Sequence, residues 1–251
     1  MPSQTLYLVR HGESTANHAV KNGVSSAYLL TDAALTESGE NQARAISTAV
    51  ALEGQPRPEL LLVSPLRRTM QTAVLGFGEA VPHLLRPDIQ ETGNTPADRG
   101  DPKLGAALVR EHGWASYAES YAALPAEWAV KGAGWKASAR RRFQALLEFV
   151  AGRAERSIAI VAHHDFFCAF LGASFALGEV RRYTLHDGQL LLSSGEPAVS
   201  PIVDPPQRCL WFLASQRKRA ALHDMKHELN ATPAPRTPPQ TGVSAQSPSA
   251  L

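Results

Sequence analysis

The chain has 251 residues, 44% of them apolar, with 18 Gly and 18 Pro, which is ordinary for a globular protein and excludes collagenous, coiled-coil and wholly disordered classes. A chain of this mass buries about 70% of its unfolded surface, so one sizeable core forms without metal or disulfide staples. Lys and Arg number 25 against 23 Asp and Glu, for a net charge of +2, too little to hold a nucleic acid or a membrane through bulk electrostatics.

The N-terminal stretch MPSQTLYLVRHGES lacks a basic n-region and a small-residue cleavage site, and no run approaches the length of a membrane span. Residues 5–9 (TLYLV) read as a buried strand. Thr36 precedes a helix with Ala43, Ile46 and Val50 on one face. Residues 60–63 (LLLV) form a second strand; Ser64 and Pro65 then occupy N-cap and first-turn positions of a helix through LRRTMQTAVL.

The stretch from about 91 to 137 holds Trp114, Trp128 and Trp135 in an Ala- and Gly-rich background without a strand-like run. It reads as a helical insertion over one end of the sheet. Phe143, Leu146, Leu147 and Val150 then follow helical spacing. A third strand spans 157–162 (SIAIVA), with Asp165 as cap of a helix carrying Phe166, Phe167, Phe170 and Leu171. RYTLH-DG-QLLLS is a hairpin turning at Asp187 and Gly188, and residues 209–214 (CLWFLA) suggest a further strand. Cys168 and Cys209 lie in apolar runs and read as buried free thiols, consistent with a cytoplasmic protein, with a disulfide between them as the alternative. Residues 231–251 hold five prolines and almost no large apolar side chain, the composition of a disordered tail. The expectation is one domain over 1–230: an α/β, three-layer α/β/α sandwich with a mostly parallel central sheet.

Parallel sheets bind ligands beyond the carboxyl ends of their strands. Arg10 and His11 follow the first strand, Arg67 and Arg68 the second, His163 and His164 the third. Arginine offers planar, permanently charged donors to phosphate oxygens, and neighbouring guanidinium groups keep an imidazole neutral and nucleophilic. This combination points to phosphoryl transfer through histidine.

The string LVRHGESTAN at 8–17 resembles the signature of the histidine phosphatase superfamily, the phosphoglycerate mutase-like proteins. LTESGENQA from Leu35, SPLRRTMQTA from Ser64, an acidic residue in DIQETG and IVAHHDFF from Ile160 follow in the same order. The stretch from Ile89 to Glu91, with Pro96, Asp98 and Gly100 after it, is similar to a fungal branch. The resemblance implies that His11 is the nucleophile, that Arg10, Arg68 and His163 clamp the phosphate, that Asn17 is a further donor, and that Glu91 is the general acid, with Asp88 in reserve. Arg67 falls outside the clamp. His164 stands where the family usually has glycine, so it either crowds the pocket or contacts the substrate. The implied activity is that of a metal-independent phosphatase, without cofactor, acting on a small phosphorylated molecule. A phosphomutase and a repurposed or non-catalytic phosphate-binding module are the alternatives. Oligomeric state is left open.

His223 and His227 stand four apart on a predicted helix, but without a third ligand they read as a solvated face. The basic triplets 140–142 and 217–219 read as helix surface.

Overall fold

The computed structural model describes residues 3–52 and 56–192. The expected strand at 209–214, the triplet 217–219, His223, His227, the domain limit at 230 and the tail 231–251 lie outside the described residues. In chain order the elements are β1 (Gln4–Arg10), α1 (Thr15–Lys21), α2 (Glu37–Leu52), β2 (Leu60–Val63), α3 (Arg67–Phe77), β3 (His83–Leu85), α4 (Pro102–His112), α5 (Ala115–Ala122), α6 (Ala139–Ala151), β4 (Ser157–Ala162), α7 (His164–Leu171), β5 (Val180–His186) and β6 (Gln189–Leu192). The sheet runs β3-β2-β4-β1-β5-β6. Its first four strands are parallel, and β5 and β6 are antiparallel additions at one edge.

Alternation along the central strands explains the three layers. Leu6, Leu8, Leu60, Leu62, Ile158 and Ile160 face α6 and α7, where they join Phe143, Leu146, Leu147, Val150, Phe166 and Phe167. Tyr7, Val9, Leu61, Val63, Ala159 and Val161 face the other way, onto Ile46 and Val50 of α2 and Met70 and Ala73 of α3. The rings of Phe143 and Phe170 stack at 4.2 Å, and fully burying each such side chain stabilises by about 1.5–3 kcal/mol.

The insertion is helical, as expected, through α4 and α5, and its Trp114 and Tyr117 extend the second core beside β3. Tyr117 Oη donates to the Met70 carbonyl at 3.2 Å. The hairpin turns where expected: Asp187 and Gly188 both have positive φ, 47° and 74°, the signature of a two-residue type I′ turn.

Four expectations are corrected. Helix α3 starts at Arg67 with Leu66 as its cap residue, because the Ser64 hydroxyl is engaged by His163. Helix α7 is preceded by His163, which places Asp165 inside its first turn. In the triplet 140–142, Arg142 is buried, donating to the carbonyls of Asp88 at 2.5 Å and Gln90 at 3.1 Å. Cys168 is disulfide-bonded rather than a free thiol. Among the described residues no helix is long and apolar enough to cross a membrane.

The register sets up the site. Arg10 pairs with Ala162 and Val63 with Val161, so the chain leaves β1, β2 and β4 side by side, at His11, Ser64 and His163.

Candidate active site

His11 follows β1 on a tight path. A Cβ on Gly12 would fall 2.3 Å from the Gly39 carbonyl oxygen, so only glycine lets the strand-end loop lie against the start of α2. The Gly12 amide donates to Thr72 Oγ1 at 3.1 Å. The Gly12 carbonyl lies 2.7 Å from His11 Nδ1. A carbonyl only accepts, so Nδ1 carries the proton and Nε2 presents a lone pair. Arg68 Nε donates to that Nε2 at 3.1 Å. Burial, then Arg68 and Arg10, hold the His11 pKa well below the usual histidine value, which keeps the ring neutral.

His163 is fully buried, its ring centroid 5.2 Å from that of His11. Arg68 Nη2 lies 3.3 Å from His163 Nδ1 and donates to it. The proton therefore sits on Nε2 and is donated to Ser64 Oγ at 2.8 Å. Burial and the adjacent Arg68 lower the pKa of His163 as well. The third guanidinium nitrogen of Arg68, Nη1, donates to the Ala97 carbonyl at 2.8 Å.

Arg10 Nη1 donates to the Phe175 carbonyl at 2.6 Å, while its buried Nε has no partner among the described residues. That N–H is a donor in hand for an anion. His164 Nδ1 lies 3.0 Å from the same Phe175 carbonyl and 3.4 Å from Arg10 Nη1. The ring thus ties the start of α7 to the Phe175 carbonyl. Arg67 stands apart from both histidines, its backbone N–H and Nε bonding Asp32 at 3.0 and 2.7 Å.

Glu91 is buried, and its Oε1 accepts the Thr92 amide at 2.7 Å. Burial, reinforced by Asp165 and Asp98, pushes its pKa up to about 7. A carboxyl that still holds its proton near neutrality can protonate a leaving group. Asp88, the reserve candidate, is paired with Arg86 at 2.9 and 2.7 Å. Asn17 Oδ1 accepts from the Ser14 amide and hydroxyl at 3.1 and 2.8 Å in a capping box that starts α1. Only its Nδ2 remains for a phosphate.

Several residues of this region escaped the sequence reading. Ser64 reads locally as a helix cap, and its bond to His163 spans 99 positions. Asp32, fully buried, organises Arg67 and the Asp101 amide. Lys131 and Trp135 both donate to the Glu91 carbonyl, and no periodicity marks either one. Among the described residues no group of three His, Cys, Asp or Glu side chains is arranged to hold a metal ion.

Residues 6–192 match the sequence model of the histidine phosphatase superfamily, branch 1. A Schizosaccharomyces pombe protein named as a probable phosphatase is 29% identical over 168 residues, 64% of this chain and 74% of that one. The solved structure of the alpha-ribazole phosphatase of Shigella flexneri superposes with a TM-score of 0.50 at 19% identity, over 80% of this chain and 100% of that one.

Proposed function

This chain belongs to the histidine phosphatase superfamily, branch 1, and we propose that it hydrolyses small phosphomonoesters through a phosphohistidine on His11. The observation that carries the proposal is the proton on Nδ1, fixed by the Gly12 carbonyl 2.7 Å away, which leaves Nε2 unprotonated beside Arg68 at 3.1 Å.

In the first step the Nε2 lone pair forms the N–P bond, the ester P–O bond breaks, and its electron pair departs on the leaving oxygen. Glu91 gives its proton to that oxygen. Arg68 and Arg10 hold the phosphoryl oxygens, Arg10 contributing its unpartnered Nε–H, while His163, bonded to Ser64 through Nε2 and to Arg68 through Nδ1, orients the Arg68 guanidinium; charge developing on the phosphoryl group is stabilised by donors already in place. In the second step water attacks phosphorus and loses a proton to the Glu91 carboxylate, and the N–P bond breaks with its pair returning to Nε2.

Rapid quench with labelled phosphomonoester is the test. It should trap an acid-labile, base-stable adduct on His11 that is missing in His11→Ala. An adduct on another residue, or full turnover by His11→Ala, overturns the mechanism.

A further inference from the structure

The helical insertion meets the acid at one point. Lys131 is buried, and its ammonium donates to three backbone carbonyls: Glu91 at 2.7 Å, Gly93 at 2.8 Å and Asp98 at 2.6 Å. An ammonium has three protons, and each has an acceptor. The Glu91 carbonyl accepts a second bond, from Trp135 Nε1 at 2.9 Å. Between the anchored carbonyls the segment 91–98 is tightly folded. Thr95 donates its amide and hydroxyl to Asp98 Oδ2 at 3.1 and 2.7 Å, and a Cβ on Gly93 would fall 2.1 Å from that same oxygen.

The two ends of this segment bear on different parts of the site. At its start Glu91 carries the carboxyl. Near its close, the Ala97 carbonyl receives Arg68 Nη1 at 2.8 Å. Lys131 bonds the carbonyl of Glu91 and that of Asp98, the residue next to Ala97.

From this geometry we infer that Lys131, seconded by Trp135, is a positioning residue that fastens the acid-bearing segment 91–98 and so fixes Glu91 relative to the arginine clamp. The inference rests on Glu91 being the general acid. It gives the insertion a part in the chemistry: an alteration in 128–135 would move the proton donor without touching the nucleophile.

The test uses the full chain and two phosphomonoesters, an alkyl phosphate, whose alkoxide needs a proton to leave, and p-nitrophenyl phosphate, whose leaving group departs as an anion. Lys131→Met should lose about 100-fold in kcat/KM on the alkyl phosphate, the scale of a misplacement of roughly 1 Å. It should stay within several-fold of the parent on the aryl phosphate. In the Lys131→Met, Glu91→Gln double variant the alkyl-phosphate loss should not exceed that of Glu91→Gln alone, since a misplaced acid and an absent one forfeit the same proton transfer. Trp135→Phe removes one of the two donors to the Glu91 carbonyl. It should show the same selectivity more weakly, and it decides the matter should Lys131→Met fail to fold. Equal losses on both substrates, or multiplying losses in the double variant, beside a selective Glu91→Gln overturn this inference alone. A Glu91→Gln variant that affects both substrates equally overturns the acid assignment and this inference with it.

Discussion

Arg68 Nε and His11 Nε2 stand 3.1 Å apart, so a buried cation is aimed at the lone pair of the proposed nucleophile. Arg68 Nη2 also donates to His163. Burial and this one side chain thus keep two imidazoles neutral. Arg68→Ala should lose at least about 3 kcal/mol of transition-state stabilisation, as removal of a charge-stabilising donor does. Because Arg68 is among the causes holding the His11 pKa down, that pKa should rise in the variant, visibly in an NMR titration. Arg67→Ala forfeits only a side-chain bond to the Asp32 carbonyl. It should cost about 1 kcal/mol of stability and little activity. The reverse order of kinetic losses would reject the assignment of the clamp.

Ser64→Ala probes the tautomer of His163. With the hydroxyl gone, a buried N–H loses its acceptor, at a cost of about 1–3 kcal/mol. The melting temperature should fall by about 2–4 °C for each kcal/mol. The ring would also be free to carry its proton on Nδ1, facing the Arg68 donor at 3.3 Å, so kcat should fall too. A variant with parental Tm and kcat would remove Ser64 from the site.

Gly12 and Gly39 should tolerate no side chain, since their backbones touch across the strand-end loop. The Cβ of Gly12→Ala would meet the Gly39 carbonyl oxygen at 2.3 Å, and that of Gly39→Ala the Glu13 carbonyl oxygen at 2.0 Å. Backbone carbonyls have little room to yield, so each variant should be destabilised well beyond the about 1 kcal/mol of an average substitution, with activity lost. Gly23→Ala is the control. Its φ of +75° costs about 1–2 kcal/mol, but nothing lies within 4 Å of the new methyl. Thermal melts of the three variants that fail to separate Gly23→Ala from the others would refute the close approach.

The sequence made legible what repeats locally or ends a strand. Residues 60–63 and 157–162 are apolar on both faces because both faces are covered, and their observed bounds coincide with the apolar runs. His11, Arg10, Arg68 and His163, which carry the proposed nucleophile and clamp, stood out because each follows such a run. β3 gives no such signal: a strand of three residues, His83–Leu85, is too short to carry a period. Ser64 followed by proline has the local form of a helix start, and its partner is settled only when β2 and β4 pair. Arg142 belongs to a basic triplet that reads as solvated, yet its guanidinium lies 4.0 Å from the centre of the Trp135 ring. Lys131 is a lone lysine among glycine and alanine, and its role exists only once the insertion folds onto residues 91–98. Contacts between aperiodic segments leave no local signature.

The pH profile tests the acid by the sign of its limb. Glu91, shifted from 4.5 up to about 7, is protonated below that value and ionised above it. As proton donor to the leaving oxygen it must enter the first step protonated, and kcat/KM reports the groups of the free enzyme. On an alkyl phosphate kcat/KM should therefore fall as pH rises through about 7. His11, held well below its usual value, remains neutral across this range and adds no limb near neutrality. On p-nitrophenyl phosphate, whose leaving group needs no proton, the alkaline limb should be much shallower. Lys131, pushed down to about 7 mainly by its burial, also titrates there and loses its third N–H on deprotonation, so a limb alone does not identify Glu91. The Glu91→Gln variant separates the two. An alkaline limb due to Glu91 disappears in it, whereas one due to Lys131 persists wherever the lysine still affects turnover. A limb of equal depth on both substrates in the parent, or one unchanged in Glu91→Gln, would take the proton transfer away from Glu91.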